Sequence, residues 1–143
     1  MNDKKAYIFG GLFFLSNKIQ NAGDKLFTEI TTKQWFLLIS IIQSGIENPT
    51  ITEVSNIIGY SRQNVKKLAV HLQNAGLIEL IKDTKDSRIL RVTLTEKCFQ
   101  YFESRQAPEE EFLESLYYGV TDKELNDMFL VMNKLEKNIL KLG

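Results

Sequence analysis

Residues 61–76 read SRQNVKKLAVHLQNAG, and Arg62, Gln63, Asn64, Lys66 and Lys67 place five hydrogen-bonding side chains in six consecutive positions. Wound as a helix at about 100° per residue, Val65, Leu68, Ala69 and Leu72 form one apolar stripe. Gln63, Lys67, Val70 and Asn74 then point the opposite way, flanked by Asn64, Lys66 and His71. Glutamine and asparagine amides match the N6 and N7 edge of adenine, arginine and lysine reach guanine or phosphate, and an outward valine accommodates a thymine methyl. Ser61, Arg62, Gln63, Asn64, Lys66, Lys67 and Val70 are therefore candidates for contact with nucleic acid. A solvated helix face carries the same residue types, so the arc alone leaves both readings open.

Directly downstream, residues 81–95 read IKDTKDSRILRVTLT. Strand-like Ile, Leu and Val flank a polar Asp-Thr-Lys-Asp-Ser tip, the pattern of a β-hairpin whose loop is longer than a two-residue turn. Lys85, Asp86, Arg88 and Arg91 are candidate contacts here, the basic groups touching DNA backbone or minor groove while an acid holds an arginine in place. The plainer alternative is an exposed charged hairpin whose ion pairs contribute little.

These two segments need a scaffold. Thr31 and Gln34 stand at capping-box spacing and open a helix through Trp35, Phe36, Leu38, Ile39 and Ile42 that stops by Gly45. Thr50 or Thr52 caps a short helix over 53–58, Gly59 and Tyr60 make a tight turn, and Ser61 caps the next helix, which Gly76 closes. A short helix, a turn containing glycine and a second helix with a polar outer face make a helix-turn-helix; the hairpin that follows makes it winged. Before it, residues of about 5–20 form an apolar helix with Tyr7, Ile8, Leu12, Phe13, Leu15 and Ile19. After it, Thr95 caps a long helix in which Pro108 marks a break, a kink or a new first turn; in the last case Glu109–Glu111 favour the restarted amino-terminal end. Thr121 and Glu124 repeat the capping box before a last helix bearing Leu125, Met128, Phe129, Met132, Leu135 and Ile139. The fold class is mainly α with a small β-hairpin wing. The expected division is 1–30, an N-terminal helix contributing to dimerisation; 31–95, the winged helix-turn-helix; and 96–143, C-terminal dimerisation helices, within one intertwined domain.

Charge distribution fits this division better than total charge does. The 143 residues carry 18 basic and 18 acidic side chains, a formal net charge of zero. Residues 61–95 hold seven bases and three acids, whereas 96–143 hold six bases and ten acids. A basic middle beside an acidic tail suits one face meeting a polyanion while another region does something else.

The order of elements and several local matches resemble the MarR family of bacterial transcription regulators. The matches are Thr31–Trp35 opening the second helix, Ser61–Leu72 as recognition helix, Asn74-Ala75-Gly76-Leu77-Ile78 leading into the wing, and Asp86-Ser87-Arg88 with Val92-Thr93-Leu94-Thr95 on the returning strand. The resemblance implies that Arg88 is the wing arginine directed at the minor groove and Asp86 its orienting partner. It further implies a homodimer with interlocked termini, a pseudo-palindromic operator in double-stranded DNA, and repression relieved by a small aromatic effector. Phe13, Phe14, Trp35 and Phe36 are candidates to line the effector pocket. The chain departs from the family at Cys98, where glycine is usual, and at Asn64, Lys66 and Lys67, where small hydroxyl residues and arginine are commoner.

Other classes find little support. No catalytic or metal-binding set is expected, because His71 and Cys98 are the only histidine and cysteine, and no cofactor is expected. Gly10-Gly11 lacks phosphate-loop spacing. Cys98, beside Phe99 and Phe102, reads as a small core residue rather than a redox sensor. Apolar runs fall far short of the about 20 residues a membrane span needs, and the amino-terminal stretch lacks a cleavage site, so a cytoplasmic protein without membrane contact is expected. The alternative in a different class is a winged-helix protein-interaction module without specific DNA binding.

Overall fold

The computed structural model describes residues 3–27 and 29–143. Its elements run α1 (Asp3–Leu26), α2 (Thr32–Ser44), α3 (Ile51–Ile58), α4 (Arg62–Asn74), β1 (Ile78–Lys82), β2 (Leu90–Leu94), α5 (Glu96–Leu116) and α6 (Asp122–Leu142). The chain divides after Ser104 into two compact units, the second beginning at Arg105.

In the first unit the helix starts follow from side-chain caps. Thr31 and Thr50 each accept a hydrogen bond from the amide three residues on, and the side-chain oxygens of Gln34 and Glu53 in turn accept one from the cap amide, so both boxes close. Ser61 caps α4 through the Asn64 amide. Gly45 and Gly59 end α2 and α3 at φ of 69° and 75°, a backbone region in which a side chain is strained. These caps leave only short connections, so the apolar stripes of α2, α3 and α4 must meet. Leu37, Leu38, Val54, Val65, Ala69 and Leu72 are fully buried there, and Leu77, Ile78, Val92 and Cys98 extend that core under the hairpin.

α1 is longer than its periodicity predicts, continuing past residue 20 to Leu26. Its extra turns are held from outside the helix: Thr32 donates through its hydroxyl to the Gln20 carbonyl and through its amide to Asp24. Gly23 makes this approach feasible, since a Cβ there would collide with the Thr32 hydroxyl. Pro108 likewise causes no break, for α5 passes through it and Glu109–Glu111 lie inside a continuous helix rather than at a new start. Proline removes one amide donor, a loss the surrounding turns tolerate here.

The second unit contains the end of α5 and the whole of α6, whose Thr121–Glu124 capping box closes as predicted. None of the α6 residues is buried, and Met128, Phe129, Met132 and Ile139 are exposed large hydrophobics. Among the described residues no helix is long and apolar enough to cross a membrane.

Candidate nucleic-acid interface

α4 separates its two faces cleanly. Val65, Ala69 and Leu72 have no exposed surface, whereas Ser61, Arg62, Gln63, Asn64, Lys66, Lys67 and Val70 are all exposed. At about 100° per residue the exposed arc runs from Arg62 and Lys66 at one edge, through Gln63 and Val70, to Lys67, Asn64 and His71 at the other. Both ends of α4 are tethered, by the Ser61 cap and by Gln73, whose side-chain oxygen accepts from the Leu80 amide at 2.8 Å. The arc is thus presented on a helix that cannot roll without breaking the core.

The hairpin pairs β1 and β2 antiparallel with Ile78 opposite Leu94 and Lys82 opposite Leu90. Thr95 locks its base: its amide donates to the Leu77 carbonyl at 3.1 Å and its hydroxyl to the Gly76 carbonyl at 2.7 Å, while it caps α5 by accepting from Cys98. β2 also leans on the loop between α2 and α3, the Val92 amide donating to the Pro49 carbonyl at 2.8 Å and Arg91 bridging to Thr50.

At the wing tip Arg88 donates to both oxygens of Asp86, Nε to Oδ1 and a terminal nitrogen to Oδ2, each at 3.0 Å. Its side chain is 88% exposed, so the fork is aimed while its remaining N–H groups face solvent. This pairing, and the Arg88 amide beside it, hold the Asp86 carboxyl below its usual range and raise the Arg88 guanidinium. Lys85 is exposed beside it. Arg91 behaves differently. Its Nε donates to Asp83 at 2.7 Å and its terminal nitrogen to the Asn48 carbonyl at 3.0 Å, so the guanidinium ties the hairpin to the α2–α3 loop. Asp83, with Arg91 first and then the amides of Asp86 and Lys85 donating to it, is also held below the usual carboxylate range. Asn48, the one described non-glycine residue with positive φ (50°), accepts from Thr93 as well.

Tip and recognition helix share a cleft of about 540 Å³ whose walls include Thr50 and Thr52 of the α3 cap region, Arg62, Gln63 and Lys66 of α4, and Arg88. Three cations and no acid line it, a charge balance suited to an anionic ligand. Each of the four aromatic candidates for an effector pocket has a partner outside the four. Phe13 meets Phe9 edge to face, Trp35 stacks on Phe27, Phe36 meets Tyr60, and Phe14 lies under the Lys18 ammonium. Cys98 is fully buried, and burial pushes its thiol up to about 11.

No protein-family profile matches the sequence. Solved structures do. A MarR transcriptional regulator from Methanosarcina mazei Go1 superposes with a TM-score of 0.85 at 19% identity, covering 96% of this chain and 99% of that one. The fold is that of the MarR regulators. A complex of S. aureus MepR with DNA shares this MarR fold at a TM-score of 0.76 and 20% identity over 92% and 97% of the two chains. So does Bordetella bronchiseptica BpsR, solved to explain regulation of its DNA binding by 6-hydroxynicotinic acid, at 0.74 and 18% over 89% and 91%. Such MarR neighbours are transcription regulators rather than enzymes.

Proposed function

We propose that the chain is a cytoplasmic member of the MarR family, a homodimeric DNA-binding regulator that reads a pseudo-palindromic operator. The observation that carries this reading is the cleft joining Arg62, Gln63 and Lys66 of α4 to Arg88 of the wing, because one duplex lying there meets the polar arc and the aimed arginine together. The arc, residues 61–75, enters the major groove, and the wing, residues 83–91, flanks it with Lys85 and Arg88 while Arg91 holds the hairpin.

Surface chemistry supports the dimer. α1 exposes Tyr7, Phe9, Phe13 and Phe14, and α6 exposes its Met and Phe stripe, more apolar surface than an isolated soluble chain ordinarily leaves wet. A second copy covering those faces spaces two recognition helices for two half-sites. The regulator acts as a repressor by occlusion, and a small aromatic effector releases it by binding more tightly to a dimer that does not fit DNA. Phe13 and Phe14 lie on the α1 face a partner would cover, where such an effector would sit.

The test is titration of purified protein against its own upstream DNA and against random duplex at two salt concentrations, with sedimentation velocity to count subunits. Tight, salt-sensitive preference for the upstream DNA by a dimer is the expected result. Equal, negligible binding to both would leave the winged helix as a protein-interaction module.

A further inference from the structure

The larger cleft of the first unit lies on the other side of α4 from the wing. It measures about 820 Å³ and is polar: α1 contributes Asn17, Gln20 and Asn21, α2 contributes Lys33, and α4 contributes Asn64, Lys67 and His71. The α4 residues are those at the far edge of the exposed arc, so recognition helix and cleft form one continuous surface. The one acid in the lining, Asp24, is already engaged by the Thr32 amide at 2.7 Å. Two first-turn amides of α2 are engaged as well, Thr32 by Asp24 and Gln34 by the Thr31 hydroxyl, and the positive charge of the lining comes from the lysines.

We propose that this cleft is a second seat for the DNA backbone, in which Lys33, together with Lys67, neutralises phosphates of the strand opposite the wing. The inference rests on the DNA-reading function above and deepens it. A major groove about 12 Å wide is bounded by a sugar–phosphate strand on each side, and a helix with its side chains, about 10–12 Å across, fills it. With Arg62, Lys66 and Arg88 against one strand, the opposite edge of α4 faces the other strand. There the side-chain amides of α1 supply uncharged donors and Lys33 supplies charge, contacts that position a duplex without reading its sequence. α1 thereby acts in DNA binding through its second half, apart from any role of its apolar first half.

The test compares Lys33→Ala, Lys33→Arg and, as a control for lost charge elsewhere, Lys137→Ala, each titrated against operator and random duplex over a salt series, with thermal melts to establish folding. Lys33→Ala is expected to weaken both duplexes by the same factor, about three- to tenfold, and to flatten the log–log salt slope by about one, leaving sequence preference unchanged. Lys33→Arg should retain wild-type slope. Should Lys33→Ala fail to fold, Lys33→Gln takes its place. A Lys33→Ala slope equal to that of wild type, or a loss confined to the operator, overturns the proposal while the DNA-reading function stands. Wild-type protein with no salt-sensitive DNA binding removes both.

Discussion

Arg88 and Arg91 stand three positions apart on one hairpin, and the tip and base of the wing use the same side chain in opposite ways. At the tip, Arg88 folds onto a partner two residues away and stays 88% exposed. At the base, Arg91 is 38% exposed and reaches Asn48, forty-three positions back in the chain. A local, solvent-facing ion pair aims a side chain and stabilises little. A pair that also satisfies a distant carbonyl fixes where the hairpin sits. The hairpin thus carries an exposed, aimed arginine in its turn and a positioning arginine on β2, and the two are separable by experiment.

The sharpest separation is Arg88→Ala, expected to cost about ten- to a hundredfold in affinity for operator DNA, read by fluorescence anisotropy, with an unchanged melting temperature. Arg91→Met should reverse the pattern, lowering the melting temperature by about 5 °C as the Asn48 carbonyl and Asp83 lose their donor, and weakening DNA binding only about threefold. Were both variants to lose affinity and stability alike, tip and base would be one functional unit. A smaller effect is expected from Asn48→Gly, which relieves a positive φ but removes the acceptor for Thr93; the two oppose, and the melt should move by no more than about 2 °C.

Acid gives the gentlest test. Hydrogen bonds from Arg91 hold Asp83, and those from Arg88 hold Asp86, below the ordinary carboxylate range. In the window between those lowered values and the ordinary ones, the folded chain binds fewer protons than the unfolded chain. Stability therefore rises with pH across that window, is complete above it, and drains away as pH falls through the folded values. Thermal melts in the acid range should show a shallower decline for Asp83→Asn than for wild type. Asp86→Asn should lie between them, because its carboxylate is the more exposed of the two.

How much of this was legible in the sequence depended on how local each signal is. The caps at Thr31, Ser61 and Thr121 act over three residues and the helices begin where those residues place them, while at α3 the choice between Thr50 and Thr52 falls to Thr50, whose box with Glu53 starts the helix at Ile51 rather than at 53. The polar arc of α4 is equally local, being only periodicity. The last turns of α1 were not legible, because Gly23 and Asp24 look like a helix end until Thr32 is seen packed against them. Arg91 reads as one more basic wing residue until Asn48 is placed beside it. The cleft at Lys33 depends on three helices spread over more than fifty positions, and no spacing rule encodes it. Residue type alone groups Phe13, Phe14, Trp35 and Phe36, and it does not foretell the ring partners, Phe27 for Trp35 and Tyr60 for Phe36.

The burial of Cys98 has a practical side. With its thiol raised to about 11 and no exposed surface, Cys98 carries little of the reactive thiolate at neutral pH. A cysteine introduced in place of Lys85 would then be the one fast-reacting sulfur on the chain. A spin label or fluorophore could be attached to the wing tip without removing the native cysteine, and the approach of the tip to a duplex followed as a distance.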